Sequence, residues 1–259
     1  MKIFKQKEPN SPAATLITKE RLLNSSVPLP KHIAIILDGN GRWAQSQGKP
    51  RIFGHQEGMI NVEHVAEVAS GLGIEAMTLY AFSTENWKRA ADEVAFLMKL
   101  PIKFFDRFAP TLMDLNIKTE IIGDKLALPV ELQDAIARIE TMTAANTGMK
   151  LIIALNYGSQ DEIIGMVQKI AHKIIGGELA VTGVTAEIVE ANLLTAGLPP
   201  VDLMIRTSGE RRISNFLLWQ IAYAELYFTD VAWPEFKEQA FYQAIYEYQR
   251  RNRRFGGVK

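Results

Sequence analysis

Hydrophobic residues along this chain fall into two alternating patterns. Short runs, mostly apolar, occur at 32–37 (HIAIIL), 76–82 (AMTLYAF), 117–122 (IKTEII), 151–155 (LIIAL), 202–205 (DLMI) and 224–228 (AELYF). Such runs have the length of strands, and several lack polar alternation, which predicts a sheet covered on both faces. Between them lie longer stretches with apolar positions at helical spacing. These predict helices over 57–72, 92–115, 129–142, 161–175, 185–194 and 238–250. In 57–72 the apolar positions are Ile60, Val62, Val65, Val68, Ala69 and Leu72. The stretch 92–115 is expected to be interrupted by Pro101 and Pro110. Residues 1–30 carry Pro9, Pro12, Pro28 and Pro30 among polar residues. They are expected to form a mobile N-terminal arm with a helical turn near 18–23. Strand–helix alternation over 31–259 predicts one α/β domain, with a central, mainly parallel six-stranded sheet flanked by helices.

Composition narrows the class. The chain has 259 residues and is 47% hydrophobic, too apolar for a disordered chain. It has no cysteine, which excludes a disulfide scaffold and any thiolate-ligated metal. Lys and Arg number 29, as do Asp and Glu, so no overall field attracts nucleic acid or an anionic membrane. No nucleic-acid partner is expected. No apolar run approaches the ~20 residues of a membrane span, and residues 1–8 do not resemble a secretory signal. A cytoplasmic protein is expected.

In open α/β sheets, ligands bind beyond the carboxyl ends of the strands. That rule selects four loops: Asp38-Gly39-Asn40-Gly41-Arg42-Trp43, the segment 83–89 (STENWKR), Asn156-Tyr157-Gly158, and the segment 206–212 (RTSGERR). Their chemistry suits an anion. Gly39 and Gly41 allow close approach of backbone N–H groups, and a following helix adds the positive end of its dipole. Arg42, Arg51, Arg89, Arg206 and Arg212 offer bidentate forks to phosphate oxygens. Asp38 suits such a site if a cation stands between it and the phosphates, as Mg²⁺ does. Each residue also has a plainer reading. Gly-Asn-Gly is a common turn, Asp38 could cap a helix, His55 could be structural, and Trp43 and Trp87 could be packing residues.

Several motifs are absent. Residues 41–49 lack Walker A spacing and Pro50 follows the lysine; no G-x-G-x-x-G, H-E-x-x-H or G-x-S-x-G occurs. No two aspartates are adjacent, so the aspartate-rich motifs of trans-type prenyl synthases are missing.

HIAIILDGNGRWA (32–44), GH (54–55), TLYAFSTENWKR (78–89), IRTSGE (205–210) and RISNFLLWQIAYAELYFTDVAWPEF (212–236) resemble the cis-prenyltransferases, in order and spacing, from about Lys31 to Gly257. The likeness is greatest to bacterial members that make undecaprenyl diphosphate. It implies repeated condensation of isopentenyl diphosphate onto farnesyl diphosphate with cis double bonds. The product would carry cell-wall sugars at the membrane. By this resemblance Asp38 holds Mg²⁺ and assists departure of the allylic diphosphate. Gly39, Asn40, Gly41 and Arg42, with Trp43, Arg51 and His55, form the allylic diphosphate site. Ser83, Thr84, Glu85, Asn86, Trp87 and Arg89 form the second loop, with Asn86 assigned to proton handling. Arg206, Arg212, Ile213 and Ser214 bind isopentenyl diphosphate. Glu225 matches a second magnesium ligand, reached from the same subunit or a partner. The resemblance further implies a homodimer, whose site is completed by the tail residues Arg254, Phe255 and Gly256, and peripheral contact with the membrane. It also implies an apolar tunnel between sheet and helices for the growing chain. Phe96, Leu97, Met98, Phe104 and Phe105 are candidates for its wall, although plain core has the same composition.

Departures from the family pattern are Ala90 in place of proline, Ser159-Gln160 in place of Gly-Arg, and Arg211 where some members have histidine. Arginine is no metal ligand, so that role is not carried over. Two other classes of function fit the sequence less well. A non-catalytic family relative would lack the first loop, which is intact here. An unrelated phosphohydrolase would need a nucleophile or metal cluster that the sequence does not show.

Overall fold

A computed structural model describes residues 16–251. The first elements are α1 (Lys19–Leu23), β1 (His32–Ile36), α2 (Asn40–Ser46), α3 (Arg51–Leu72), β2 (Ala76–Ser83) and α4 (Ala91–Asp114). There follow β3 (Lys118–Ile122), α5 (Val130–Thr143), β4 (Lys150–Tyr157), α6 (Ser159–Ile175), α7 (Ala186–Glu190), β5 (Leu203–Arg206), β6 (Glu225–Phe228) and α8 (Glu238–Arg250). All six predicted strands form, and they pair in the order β3-β4-β2-β1-β5-β6, every pair parallel.

The unbroken apolar runs are explained by cover on both faces. All five residues of β1 are buried. Ile33 and Ile35 join a large core with residues from α3, α4, α5 and α8. Ala34 and Ile36 face a second core containing Tyr80, Tyr157, Phe216 and Leu217. The chain turns back at β1: β2 lies on one side of it and β5 on the other. This is the point where an open α/β sheet forms its binding crevice.

Three expectations need correction. α4 runs unbroken through Pro101 and Pro110. Each proline removes a backbone donor, but Phe104, Phe105, Phe108 and Leu112 are buried in the core and hold the helix by packing. α3 begins at Arg51, six residues before its apolar pattern, because its first turns bury Gly54, His55 and Gly58 rather than large apolar residues. The segment 16–30 is not a free arm. Ile17 and Leu22 are buried in the core, and Gln249 of α8 donates to the carbonyls of Leu22 and Val27 at 3.1 and 2.8 Å. The rest of the arm, residues 1–15, and the tail residues Arg254, Phe255 and Gly256 lie outside the described residues.

His32, 1% exposed, fixes the start of β1. Its Nδ1 lies 2.8 Å from the Pro199 carbonyl and its Nε2 2.8 Å from the Thr78 hydroxyl. The carbonyl can only accept, so Nδ1 carries the proton and the hydroxyl donates to Nε2. Burial pushes the pKa of this imidazole down, and the Pro199 carbonyl and Asp202 only partly oppose that. The folded state therefore resists a proton that the unfolded chain accepts, so stability falls as pH drops below 6.5. His55 is shifted the same way. Denaturant unfolding between pH 7.5 and 5 should show this loss. His32→Gln should flatten its slope, and an unchanged slope would count against the assignment.

Candidate active site

The site grows from the carboxyl ends of β1, β5 and β2. Past Ile36 the chain is pinned to β5: the Asp38 N–H donates to the Thr207 hydroxyl at 2.9 Å, which in turn lies 2.7 Å from the Asp38 carbonyl. Trp233 N–H donates to the same carbonyl at 3.0 Å. Gly39 then turns with φ +100°, and a Cβ there would lie 2.7 Å from the Ser208 side chain. A Cβ on Gly41 would lie 2.6 Å from the Arg51 guanidinium. Gly39 is thus required by its own backbone conformation and the Ser208 contact, whereas the obstacle at Gly41 is the movable end of an arginine.

Asp38 and Arg206 form the centre. Arg206 Nη2 donates to Asp38 Oδ2 at 2.9 Å, with the arginine side chain 5% exposed. Arg42 Nη2 and the Gly39 N–H donate to Oδ1 at 3.1 and 2.7 Å. Burial pushes the Asp38 carboxyl up, but the Arg206 bond and the charges of Arg206 and Arg42 outweigh it and hold the pKa below its ordinary value. Arg206 Nη1 reaches the Ser214 hydroxyl at 2.7 Å and the Arg212 carbonyl. The loop carrying these groups is strained: Ser208, Ser214, Asn215 and Leu217 all have positive φ. Ser159 and Gln160, two departures from the family pattern, help hold it. Leu218 N–H donates to the Ser159 hydroxyl at 2.9 Å and Gln160 N–H to Asn215 Oδ1 at 2.9 Å.

The second loop is a short 3₁₀ helix, Thr84–Lys88, closed by a capping box in which Ser83 N–H donates to Asn86 Oδ1 at 3.2 Å. Thr84 bonds Asp161 and Glu85 accepts from Asn215. Arg89 and Arg51 converge on Glu93 of α4. Arg51 reaches both carboxylate oxygens at 3.2 Å, Arg89 Nη1 reaches Oε1 at 3.0 Å, and His55 Nε2 lies 3.2 Å from Oε1. Burial raises the Glu93 carboxyl, but these partners reverse that and bring it down to about 2.

Asp38, Asn40, His55, Ser83, Glu85, Asn86, Arg89, Arg206, Arg212 and Ser214 line one cleft of about 630 Å³. Its inner end, at Leu37, Asn40, His55, Phe82 and Leu97, is shared with an apolar slot of about 50 Å³. Leu100, Pro101 and Phe105 of α4 also wall that slot. Arg42 and Arg51 lie outside the lining: Arg42 bonds Asp38 of the cleft, and Arg51 bonds Glu93, which itself lies behind it. Other predicted residues point elsewhere. Trp43 stacks on Phe53 and donates to Glu235 at 2.8 Å. Trp87 donates to Asn156 at 2.8 Å and lines an outer groove. Ile213 packs against the second core. Glu225 is misplaced for sharing a metal with Asp38 within one chain. It opens β6 in register with Leu203 and hence Ile33, whereas Asp38 lies beyond the opposite end of β1, roughly 16 Å further along at ~3.3 Å per residue. Its carboxylate is bonded to Arg251 at 2.8 Å.

Sequence reading missed Glu93 and Asn215. Glu93 is signalled only by its i,i+4 spacing from Arg89, and Asn215 only by its place beside Ser214. Among the described residues no three His, Asp or Glu side chains gather as a metal site. One ionised carboxylate beside a cation-lined cleft still fits Mg²⁺, which takes one or two carboxylates and completes its shell with phosphate oxygens and water.

Residues 36–256 match the family model described as "Putative undecaprenyl diphosphate synthase". An isoprenyl transferase of Geobacillus kaustophilus is 50% identical, over 99% of this chain and 98% of its own length. A ditrans,polycis-undecaprenyl-diphosphate synthase ((2E,6E)-farnesyl-diphosphate specific) of Haemophilus ducreyi is 54% identical, over 89% of this chain and 96% of its own. Among solved structures, lavandulyl diphosphate synthase from Lavandula x intermedia, in complex with dimethylallyl diphosphate, superposes with a TM-score of 0.86 at 39% identity. It covers 88% of this chain and 99% of its own. The matched blocks, the parallel sheet and the arginine-lined cleft at its switch point together place this chain in the undecaprenyl diphosphate synthase family of cis-prenyltransferases.

Proposed function

We propose that this enzyme condenses isopentenyl diphosphate repeatedly onto farnesyl diphosphate, with Mg²⁺, to make a long polyprenyl diphosphate, undecaprenyl diphosphate, for cell-wall lipid carrier synthesis. The observation that carries this reading is the junction of a cationic cleft, centred on Asp38 and Arg206, with an apolar slot under α4. One substrate has the same two parts, a diphosphate head and a hydrocarbon tail.

In the reaction the allylic C–O bond breaks, charge builds on the departing diphosphate, and positive charge builds on carbon. Arg42, Arg51, Arg89 and His55, with the loop Gly39-Asn40-Gly41, receive the departing diphosphate. Arg206, Arg212 and Ser214 hold the diphosphate of isopentenyl diphosphate. Asp38 would hold Mg²⁺, which when bound neutralises charge on the leaving group. Asn86, held by the Ser83 N–H, is assigned to handling the proton lost from C2 of isopentenyl diphosphate. Leu97 and Phe82 exclude water from the carbocation side. The slot is smaller than the ~150 Å³ cavity that accepts benzene, so the tail requires α4 to shift outward.

The open β6 edge favours a homodimer: Leu226 of β6 is exposed, as are Trp219 and Tyr223 in the segment before it, and a second copy would cover them. A partner's Glu225 is the remaining route for that residue to a shared site. No described helix is long and apolar enough to cross a membrane. We place the enzyme in the cytoplasm, delivering its product to the membrane by peripheral contact. Purified protein with Mg²⁺, farnesyl diphosphate and labelled isopentenyl diphosphate should yield an extractable long-chain lipid whose size reports the chain length. No lipid from demonstrably folded protein would overturn the reading.

A further inference from the structure

The carboxylate of Glu93 has no assigned part in this chemistry, yet it occupies the cations that the reaction needs. It accepts four hydrogen bonds, two from Arg51 and one each from Arg89 and His55. That fills the acceptor capacity of a carboxylate. Its side chain is only 15% exposed. The imidazole must donate from Nε2 to be bonded there; burial lowers its pKa, and the bond to Glu93 only partly opposes that.

We propose that Glu93 is a built-in counter-ion of the allylic diphosphate site. It holds Arg51, Arg89 and His55 while the site is empty, and competes with inorganic diphosphate for them after each condensation. This rests on the function proposed above. Guanidinium forks accept carboxylate and phosphate oxygens with the same geometry, so one anion can stand in for the other. Both cannot use the same donors at once, and two anions pressed together in a half-buried site repel. The carboxyl, held at about 2, stays ionised at any working pH and leaves only by exchange.

The reaction makes such exchange necessary. In each cycle the allylic C1–O bond breaks and its electron pair leaves with the diphosphate. C4 of isopentenyl diphosphate bonds to that carbon, and a proton is lost from its C2. The lengthened chain now bears the diphosphate that came with isopentenyl diphosphate. The spent diphosphate, more highly charged than the ester it came from, remains on the arginines and must leave before the chain can move across. Glu93, tethered at the start of α4 by only the first turn of the helix, is an anion at high local concentration that speeds this step.

The test is calorimetric titration of inorganic diphosphate into the full chain and into Glu93→Gln, with the same compound assayed as an inhibitor of turnover. Loss of the competing charge should tighten binding about tenfold, the scale of one charge-assisted hydrogen bond, and strengthen inhibition in parallel. Unchanged or weaker binding by a folded Glu93→Gln protein would overturn the proposal and make Glu93 a residue that aims the arginines. Should the glutamine variant fail to fold, Glu93→Asp draws the carboxylate back by one methylene. Binding should then tighten about two- to threefold, and no change would again overturn the proposal. The lipid assay separates the two readings. Product formation without tightened binding overturns only the counter-ion role. Tightened binding without any prenyl product overturns only the proposed reaction.

Discussion

Replacing Asp38 by alanine should lower turnover by between about 10²- and 10³-fold, the cost of removing one electrostatic stabiliser of a departing oxyanion. Two consequences combine. The carboxylate proposed to hold Mg²⁺ is gone, and Arg206, 5% exposed, loses its charged partner. A buried guanidinium left unpaired is itself destabilising, so loss of activity by the alanine variant alone is ambiguous. Asp38→Asn resolves this. The side-chain amide keeps an acceptor for Arg206 or the Gly39 N–H, which lies 2.7 Å from Oδ1, but removes the charge. It should unfold at nearly the wild-type denaturant concentration and still lose most of its turnover. A folded Asn variant with near-normal kcat would sink the role assigned to Asp38.

Gly54→Ala should destabilise the protein by up to about 2 kcal/mol and abolish most activity. A Cβ at Gly54 would sit 1.9 Å from the Asn40 carbonyl oxygen and 3.1 Å from Ala44 Cβ. The first obstacle is backbone and cannot turn aside, so α3 must move off α2, carrying His55 away from Asn40. Overpacking of this kind costs roughly 1–3 kcal/mol. Alanine recovers about 1 kcal/mol of helix propensity over glycine. Gly71 supplies the control. It lies in the same helix, and only Lys19 Nζ, 3.8 Å away, comes near its would-be Cβ. Gly71→Ala should be neutral or stabilise by up to ~1 kcal/mol. Unfolding midpoints at constant m-value separate the two variants. Equal effects at both positions would show that packing against Asn40 is unimportant.

α3 shows where sequence reading stops. Its second half has the apolar period that predicts a helix, but the first six residues do not. They bury Gly54 and His55, and Gly54 packs directly on the Asn40 backbone; close backbone contact leaves no hydrophobic trace. α4 gave the opposite error. Two prolines argue for interruption, yet Phe104, Phe105 and Phe108 between them are buried in the core and carry the helix across. Residues 1–30 read as a polar arm carrying four prolines, and the apolar side chains that dock its second half, Ile17, Leu22 and Leu29, follow no regular spacing.

The sequence alone determined the six strands, because a parallel strand buried on both faces must be apolar at nearly every position. It also determined the family, and three of the loops that line the cleft, because ligands bind where such strands end; the fourth, Asn156-Tyr157-Gly158, stays outside the cleft. Tertiary structure decided which residues of those loops share one cleft. Spacing along the chain gives neither strand order nor the direction of a side chain in a loop. Hence Trp43, Trp87 and Ile213 turn away, Glu225 falls at the wrong end of the sheet, and the balanced charge count resolves into arginines held by particular carboxylates. Glu93 belongs to this second class. It is one of many glutamates on a predicted helix, and only the folding of α3 against α4 sets it among Arg51, Arg89 and His55, the cations proposed to bind diphosphate.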